Sequence, residues 1–274
     1  MTRHSPRITI CIPHWQVRDY MTLCLRSVRK HSARYDLEVI VVDNGSRDES
    51  LEYLLSLSWI RLIERPEEVH TNWPLNVFTA WDRGLEEAAG EFYVTMHSDV
   101  FIKRDDWLDP FLREMGRSDR IAAAGAWKLE LEHPLYAAQK RLFGYAAAKL
   151  KTLAGRRSAV AWRQGHYPRD YCAMYRRAAI VRHGLTFRPV GGCGGGGYSI
   201  ARQLWDAGYE TAMFPVREMA RRVYHVAHGT AAVREEKPLN HRRAQKKVER
   251  KVGVLFDEDW IKSLQADDSL DRAA

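Results

Sequence analysis

His97 and Asp99 lie two residues apart in the stretch Phe92-Tyr93-Val94-Thr95-Met96-His97-Ser98-Asp99-Val100. On an extended chain that spacing points both side chains the same way, so an imidazole and a carboxylate can share one divalent cation or one phosphate. The apolar run before them, Phe92 to Met96, gives way abruptly to three polar residues, as a buried strand does when it delivers side chains to a sheet edge. The same triplet would also open an ordinary loop, so the surrounding elements decide its meaning.

Those elements alternate between strand and helix patterns. Ile8-Thr9-Ile10-Cys11-Ile12 is a short apolar run that Pro13 is expected to stop, leaving His14 and Trp15 at its carboxyl end. Asp19 then precedes a helical pattern with Met21, Leu23 to Leu25 and Val28 on one face. Leu37 to Val42 is a second buried strand, ending in the turn Asp43-Asn44-Gly45-Ser46. Asp48 caps a helix through Leu51, Leu54 and Leu55, and Ile60 to Ile63 is a third strand. A helix from Asn76 to Ala89 stops at Gly90, another spans Trp107 to Met115, and Ile121 to Trp127 reads as a further strand. This order predicts an α/β fold with a doubly wound, mostly parallel sheet and right-handed crossovers. Ligands in such sheets lie beyond the carboxyl ends of the strands, where Pro13-His14-Trp15, Asp43-Asn44 and His97-Ser98-Asp99 all fall.

A chain of 274 residues with 45% hydrophobic content is long enough for one large α/β domain and an appendage. The start, Met1 to Arg7, is short and polar and no apolar run approaches a membrane span, so a cytoplasmic protein is expected. Cys11, Cys24, Cys172 and Cys193 form no C-x-x-C pair, which argues against a zinc knuckle or a disulfide frame. The net charge of +8 suggests an anionic partner. The basic residues concentrate in the second half: Pro134 to Arg169 has no Asp or Glu, and Arg234 to Lys251 is basic again. Leu135 to Leu153 is amphipathic, with Leu142, Phe143, Tyr145, Ala146, Leu150 and Leu153 set against Lys140, Arg141, Lys149 and Lys151. Such a helix either lies on an anionic bilayer, as a peripheral contact at the inner membrane face, or packs as a lid on the body. Asn240 to Val254 reads as a basic helix, followed by Phe256 and Trp260 as anchors and a frayed tail.

Thr9-Ile10-Cys11-Ile12-Pro13, Leu25-Arg26-Ser27-Val28, Glu38 to Ser46, Gly84-Leu85, Ala88 to Phe92 and His97-Ser98-Asp99 occur here in a characteristic order. In that order residues 8–127 resemble the nucleotide-sugar half of a GT-A glycosyltransferase of the family 2 type. The resemblance resumes at Tyr171 to Leu185, through Met174 to Ile180 followed by Gly184, and at Arg202 to Tyr209. It implies a glycosyltransferase domain over 1–232, with an acceptor-side half at 128–232, and a C-terminal helical extension at 233–274. It also implies a nucleoside-diphosphate sugar donor. Its base or ribose would contact Asp43, with Pro13, His14, Trp15, Asn44, His97 and Ser98 around it. A Mn2+ or Mg2+ ion on Asp99, the last residue of a D-x-D motif, would hold the diphosphate. A metal there opposes the negative charge that builds on the departing diphosphate, and so favours the transition state over the ground state. The first Asp of D-x-D is His97 here, a further candidate metal ligand that favours manganese. The segment Arg221 to Thr230 resembles the late strand that supplies a histidine to the metal or diphosphate. On a strand His225 and His228 face opposite sides, so one of them serves, and the spacing to Thr230 favours His225. Arg221 and Arg222 are candidate phosphate partners.

One departure matters for mechanism. Inverting members carry an acidic pair just before the Arg202 helix, at the positions held here by Gly195 and Gly196. General-base help is worth roughly a hundred- to ten-thousand-fold in rate. Asp170 is the nearest substitute in sequence, with Glu130 and Glu132 as others, and a retaining mechanism needs no such base. The run Gly191 to Gly197 lacks the Lys-Ser or Lys-Thr of a phosphate loop and reads as a hinge or a lid. The expected activity is transfer of a sugar to a glycan or lipid-linked acceptor in surface-polysaccharide or glycolipid assembly. The alternatives are a catalytically inactive sugar-nucleotide module and a metal-dependent hydrolase using His97, Asp99, His225 and His228. Nucleic acid is disfavoured as a partner, since only charge speaks for it.

Overall fold

The computed structural model describes residues 6–66, 73–127, 129, 142–155 apart from 145, 148 and 152, then 167–192, 194–226 and 253–272. Its main sheet is built from β1 (Ile8–His14), β2 (Leu37–Asp43), β3 (Arg61–Glu64), β4 (Phe92–Met96), β6 (Ile121–Gly125), β7 (Cys172–Arg176) and β8 (Glu210–Met213). Their order across the sheet is β3-β2-β1-β4-β7-β6-β8, and β7 alone runs against the rest. A small second sheet pairs β5 (Val100–Ile102) with β9 (Val223–His225), antiparallel.

Side chains of the central strands alternate strictly between two cores. Ile8, Ile10, Ile12, Val39, Val41, Phe92, Val94 and Met96 pack on one face. Cys11, Ile40, Val42 and Tyr93 pack on the other. A strand whose two faces are both buried reads as a continuous apolar run, which is why β1 and β2 were legible without alternation. The first core is closed by α1 (Arg18–His31), α2 (Glu49–Ser56) and α4 (Asp109–Met115), and the second by α3 (Trp73–Glu87), α6 (Arg177–Arg182) and α7 (Gly197–Asp206). Between α4 and α6, the described residues of 142–153 are helical, named α5, and every one of them is exposed. A short α8 (Val216–Ala220) leads into β9.

Three expectations are corrected. Pro13 does not stop β1: Pro13 and His14 stay in register with Val42 and Asp43. Pairing with β4 ends at Cys11, so Pro13 lies where β1 has a neighbour on one side only, a setting that tolerates its missing N–H. Several helix and strand ends also shift by one to three residues, as at Trp73 and Gly125.

The larger correction is at the C-terminus, which is not a frayed tail. Helix α9 (Asp259–Ala266) and a 3-10 turn (Asp268–Asp271) fold back onto α1. Leu255, Ile261 and Leu264 join the first core, and the Arg26 guanidinium donates to Asp271 through Nε at 3.0 Å and Nη2 at 2.6 Å. Arg26 Nη1 also donates to the Leu264 carbonyl at 3.0 Å, at the exposed-carbonyl end of α9. The sheet, α2 and α9 thus surround α1, so Met21, Leu23, Cys24, Leu25 and Val28 are all buried. The predicted basic helix from Asn240 lies outside the described residues except for its last positions.

Candidate active site

The strand ends bring three metal-ligating side chains together. His97 and Asp99 follow β4, and His225 ends β9, whose partner β5 begins at Val100, opposite His225 in the ladder. Val226 N donates to the Asp99 carbonyl at 3.1 Å, and His97 N donates to the Tyr171 carbonyl at 3.0 Å. Backbone pairing therefore fixes all three positions before any ligand binds.

His225 Nε2 stands 3.3 Å from Asp99 Oδ1, and His97 Nδ1 stands 3.9 Å from the same oxygen. Ligand atoms of all three residues lie within 4.8 Å of one another, and among the described residues no other group of this kind occurs. His225 Nε2 is buried and makes no hydrogen bond, so it presents a nitrogen toward a buried carboxylate without the geometry of a shared proton. A divalent cation bonded at roughly 2.1 Å to each would satisfy both, and the donor set of two imidazoles and a carboxylate suits one. The residues therefore fit the cation expected here.

Aromatic rings hold the imidazoles in place. Tyr171 stacks on His225 with ring centroids 4.6 Å apart, and Trp81 stacks on His97 at 5.5 Å. Burial holds the His97 imidazole below its ordinary pKa, while the charges of Asp99 and Asp170 pull it back up. Neither Trp81 nor Tyr171 was picked out from sequence. Tyr171 had two signals, its place beside Asp170 and at the start of the resembling segment; Trp81, on a helix far upstream, had none.

The turn after β2 forms as expected, and its carboxylate organises it. Asp43 Oδ2 accepts from Gly45 N at 3.0 Å and Ser46 N at 2.9 Å, and Oδ1 accepts from Ser46 Oγ at 2.5 Å. Asn44 donates its backbone N–H to the His14 carbonyl at 2.8 Å, while its side-chain Oδ1 is buried without a partner. Across the gap, Gln16 N donates to Ser46 Oγ at 2.7 Å. Gln16 and Val17 both carry positive φ, 53° and 67°, unusual for any side chain and costly for a β-branched one. This strained loop is held against the Asp43 turn. Arg65, also missed in the sequence, is buried beside it and donates its backbone N–H to the Asp43 carbonyl at 2.9 Å.

Two candidates have their side chains engaged inside the fold. His14 is buried inside the fold, with Nε2 2.8 Å from Ser50 Oγ, and ties the end of β1 to the start of α2. Arg222 is held by Asp106, with Nη2 to Oδ2 at 2.8 Å and Nε to the backbone carbonyl at 3.1 Å, and by the Glu218 carbonyl. Its fork is committed to the junction of α4 and α8. Arg221 is exposed at the end of α8. His228, Thr230, Glu130 and Glu132 lie outside the described residues.

Asp170 precedes β7 and turns its carboxylate toward the start of α7, where Oδ2 accepts from Gly197 N at 3.0 Å. A β-carbon on Gly196 would stand 2.1 Å from that Oδ2, and one on Gly195 would stand 2.2 Å from the Phe78 ring. Gly195 and Gly196 are thus required by close approach, whereas a β-carbon on Gly194 would meet nothing within 4 Å. Asp170 fills the side-chain space at the position where an acidic residue was expected.

A seven-stranded α/β sheet with an acidic and histidine cluster beyond its strand ends is the architecture of GT-A glycosyltransferases. The family model described as "Glycosyl transferase family 2" matches residues 9–184, and the chain belongs to that family. EpsH of Bacillus subtilis (strain 168), named as a glycosyltransferase, is 27% identical over 106 residues, which cover 39% of this chain and 28% of that one. The match thus takes in less than a third of that relative's length. Among solved structures, the mannosyltransferase PcManGT of Pyrobaculum calidifontis, in complex with GDP-Man and Mn2+, superposes with a TM-score of 0.59 at 19% identity, covering 98% of this chain and 70% of that one. Glucosyl-3-phosphoglycerate synthase of Mycobacterium tuberculosis, with Mn2+, UDP and phosphoglyceric acid, gives a TM-score of 0.50 at 15% identity, covering 92% and 78%.

Proposed function

We propose that this protein transfers a sugar from a nucleoside-diphosphate sugar to a hydroxyl of a glycan or lipid-linked acceptor, in the assembly of a surface polysaccharide or glycolipid, with inversion at the transferred carbon. The observation that carries the reading is the convergence of His97, Asp99 and His225 beyond the sheet, with the Asp170 carboxylate near enough for its charge to reach His97.

Asp99, His225 and His97 would hold Mn2+ or Mg2+, which when bound supplies positive charge to a departing diphosphate. The Asp43 turn, Asn44 and the strained Gln16-Val17 loop form the wall expected to meet the base and ribose. Asn44 Oδ1 is a buried acceptor awaiting a donor there. Asp170 takes the role of general base: its carboxylate accepts the proton of the acceptor hydroxyl as that oxygen attacks the anomeric carbon and the bond to the diphosphate breaks. Because this carboxylate comes from the lead into β7, the missing pair at Gly195 and Gly196 does not argue for an inactive module.

Calorimetric titration with a panel of nucleoside diphosphates, with and without Mn2+, on the wild type and Asp99→Ala tests the donor half. One nucleotide should bind in a metal-dependent way and lose that dependence in the variant. Absence of binding by every nucleotide under both conditions would overturn the proposal.

A further inference from the structure

We propose that α5 is a docking surface for an anionic phospholipid bilayer, on which it lies flat with one face in the headgroup region. Leu142, Phe143, Leu150 and Leu153 are 71%, 65%, 67% and 71% exposed. The other exposed large apolar side chains among the described residues, Leu55, Val181, Val190 and Val254, are scattered along the chain, whereas these four share one helix. At the helical period Leu142, Leu153, Ala146, Leu150 and Phe143 fall within an arc of roughly 100°. An apolar stripe of that width on a globular protein is normally turned into a core, and here every described residue of the helix faces out.

Charge identifies the occupant. Lys149 lies about 20° outside one edge of the apolar arc and Lys151 about 80° beyond the other, where long basic side chains can reach phosphate headgroups while the leucines sink below them. Lys140, Arg141, Arg156 and Arg157 continue the positive charge on both sides in sequence, and no Asp or Glu occurs from Pro134 to Arg169. A second copy of the chain docked face to face would bring these like charges together, which an anionic membrane would not. Residues 142–153 span roughly 18 Å as a helix, too short to cross a bilayer and suited to lying in its surface. No helix among the described residues is long and apolar enough to cross one.

The inference deepens the acceptor side of the proposed function, since a docked enzyme meets lipid-linked hydroxyls at the surface, but it uses no residue of the donor site. The test is co-sedimentation of the full chain with phosphatidylcholine vesicles, with and without about one third phosphatidylglycerol. Binding is expected only to the anionic vesicles and should weaken with added salt. Leu150→Glu/Leu153→Glu, and separately Lys149→Glu/Lys151→Glu, should each reduce partitioning by about ten-fold or more while nucleotide binding stays at the wild-type level. Failure to sediment with anionic vesicles, equal sedimentation of wild type and variants, or a dimer in light scattering that the leucine substitutions break would each overturn it. Intact nucleotide binding without vesicle binding removes this inference alone; vesicle binding without nucleotide binding removes the transferase proposal alone.

Discussion

Asp170 Oδ2 and Gly196 occupy one another's space: a β-carbon at residue 196 would sit 2.1 Å from the carboxylate oxygen. The carboxylate also accepts the Gly197 N–H, so Asp170 caps α7 as well as facing the site. Substitution separates the two roles. Asp170→Asn keeps an oxygen for the cap and should leave thermal stability nearly unchanged, while kcat falls by roughly a hundred- to ten-thousand-fold. Gly196→Ala forces a side chain into a backbone at φ 69° and into the carboxylate, with a cost of about 1–3 kcal/mol in stability and a comparable loss of kcat. Steady-state kinetics beside urea unfolding would decide; Asp170→Asn at full kcat removes the base assignment.

The cluster of two imidazoles and one carboxylate should discriminate between metals. Nitrogen ligands suit Mn2+ better than Mg2+, which prefers an all-oxygen shell. Titration of the apoprotein should show Mn2+ binding at least about ten-fold more tightly than Mg2+, with the gap narrowed in His97→Asp. Electron paramagnetic resonance of bound Mn2+ gives a readout independent of turnover. An unchanged metal preference in His97→Asp would exclude His97 as a ligand.

His14 predicts an acid limb in stability. Burial lowers its pKa from 6.5 to about 4, against the opposing charges of Asp43 and Asp48. Between those values the unfolded chain binds a proton that the folded chain does not. The contribution is therefore complete above pH 6.5, declines as pH falls toward 4 and levels off below it, a loss of roughly 3 kcal/mol in all. Urea unfolding at pH 7, 5.5 and 4.5 should show this decline in the wild type and a shallower one in His14→Gln. Parallel pH curves for the two proteins would place the acid sensitivity elsewhere.

The Arg26–Asp271 pair should hold the C-terminal helix on the body. Both guanidinium–carboxylate bonds are short, and the Arg26 side chain is only 9% exposed. Removing its partner in Asp271→Ala leaves a buried cation, which costs about 3 kcal/mol where burial is nearly complete. Arg26→Met/Asp271→Leu should recover a large part of that loss. Urea midpoints of the single and double variants test this, and additive losses would show that the two residues are not coupled.

Legibility in the sequence followed locality. The run from β1 through β2 was readable because each apolar stretch is buried by neighbours of its own βαβ unit. Asp99 was picked out from its place after an apolar strand, and His225 only through the resemblance of its segment to the family. The Arg26 clasp was not, because its partner lies 245 residues away and an isolated Arg on an amphipathic helix looks solvated. Arg222 misled for the converse reason: beside a predicted site its charge suggested phosphate, and only the folded turn before α4 shows Asp106 already there. His14 sat at the right strand end, but side-chain direction at that end was set by α2, which no local pattern reveals.

The ladder that pairs Val100 with His225 also governs when the protein becomes competent. Asp99 leaves the ribosome long before β9, so a nascent or truncated chain ending ahead of residue 223 holds His97 and Asp99 without His225. The cluster of His97, Asp99 and His225 therefore assembles only once the chain from residue 223 onward has threaded back onto β5.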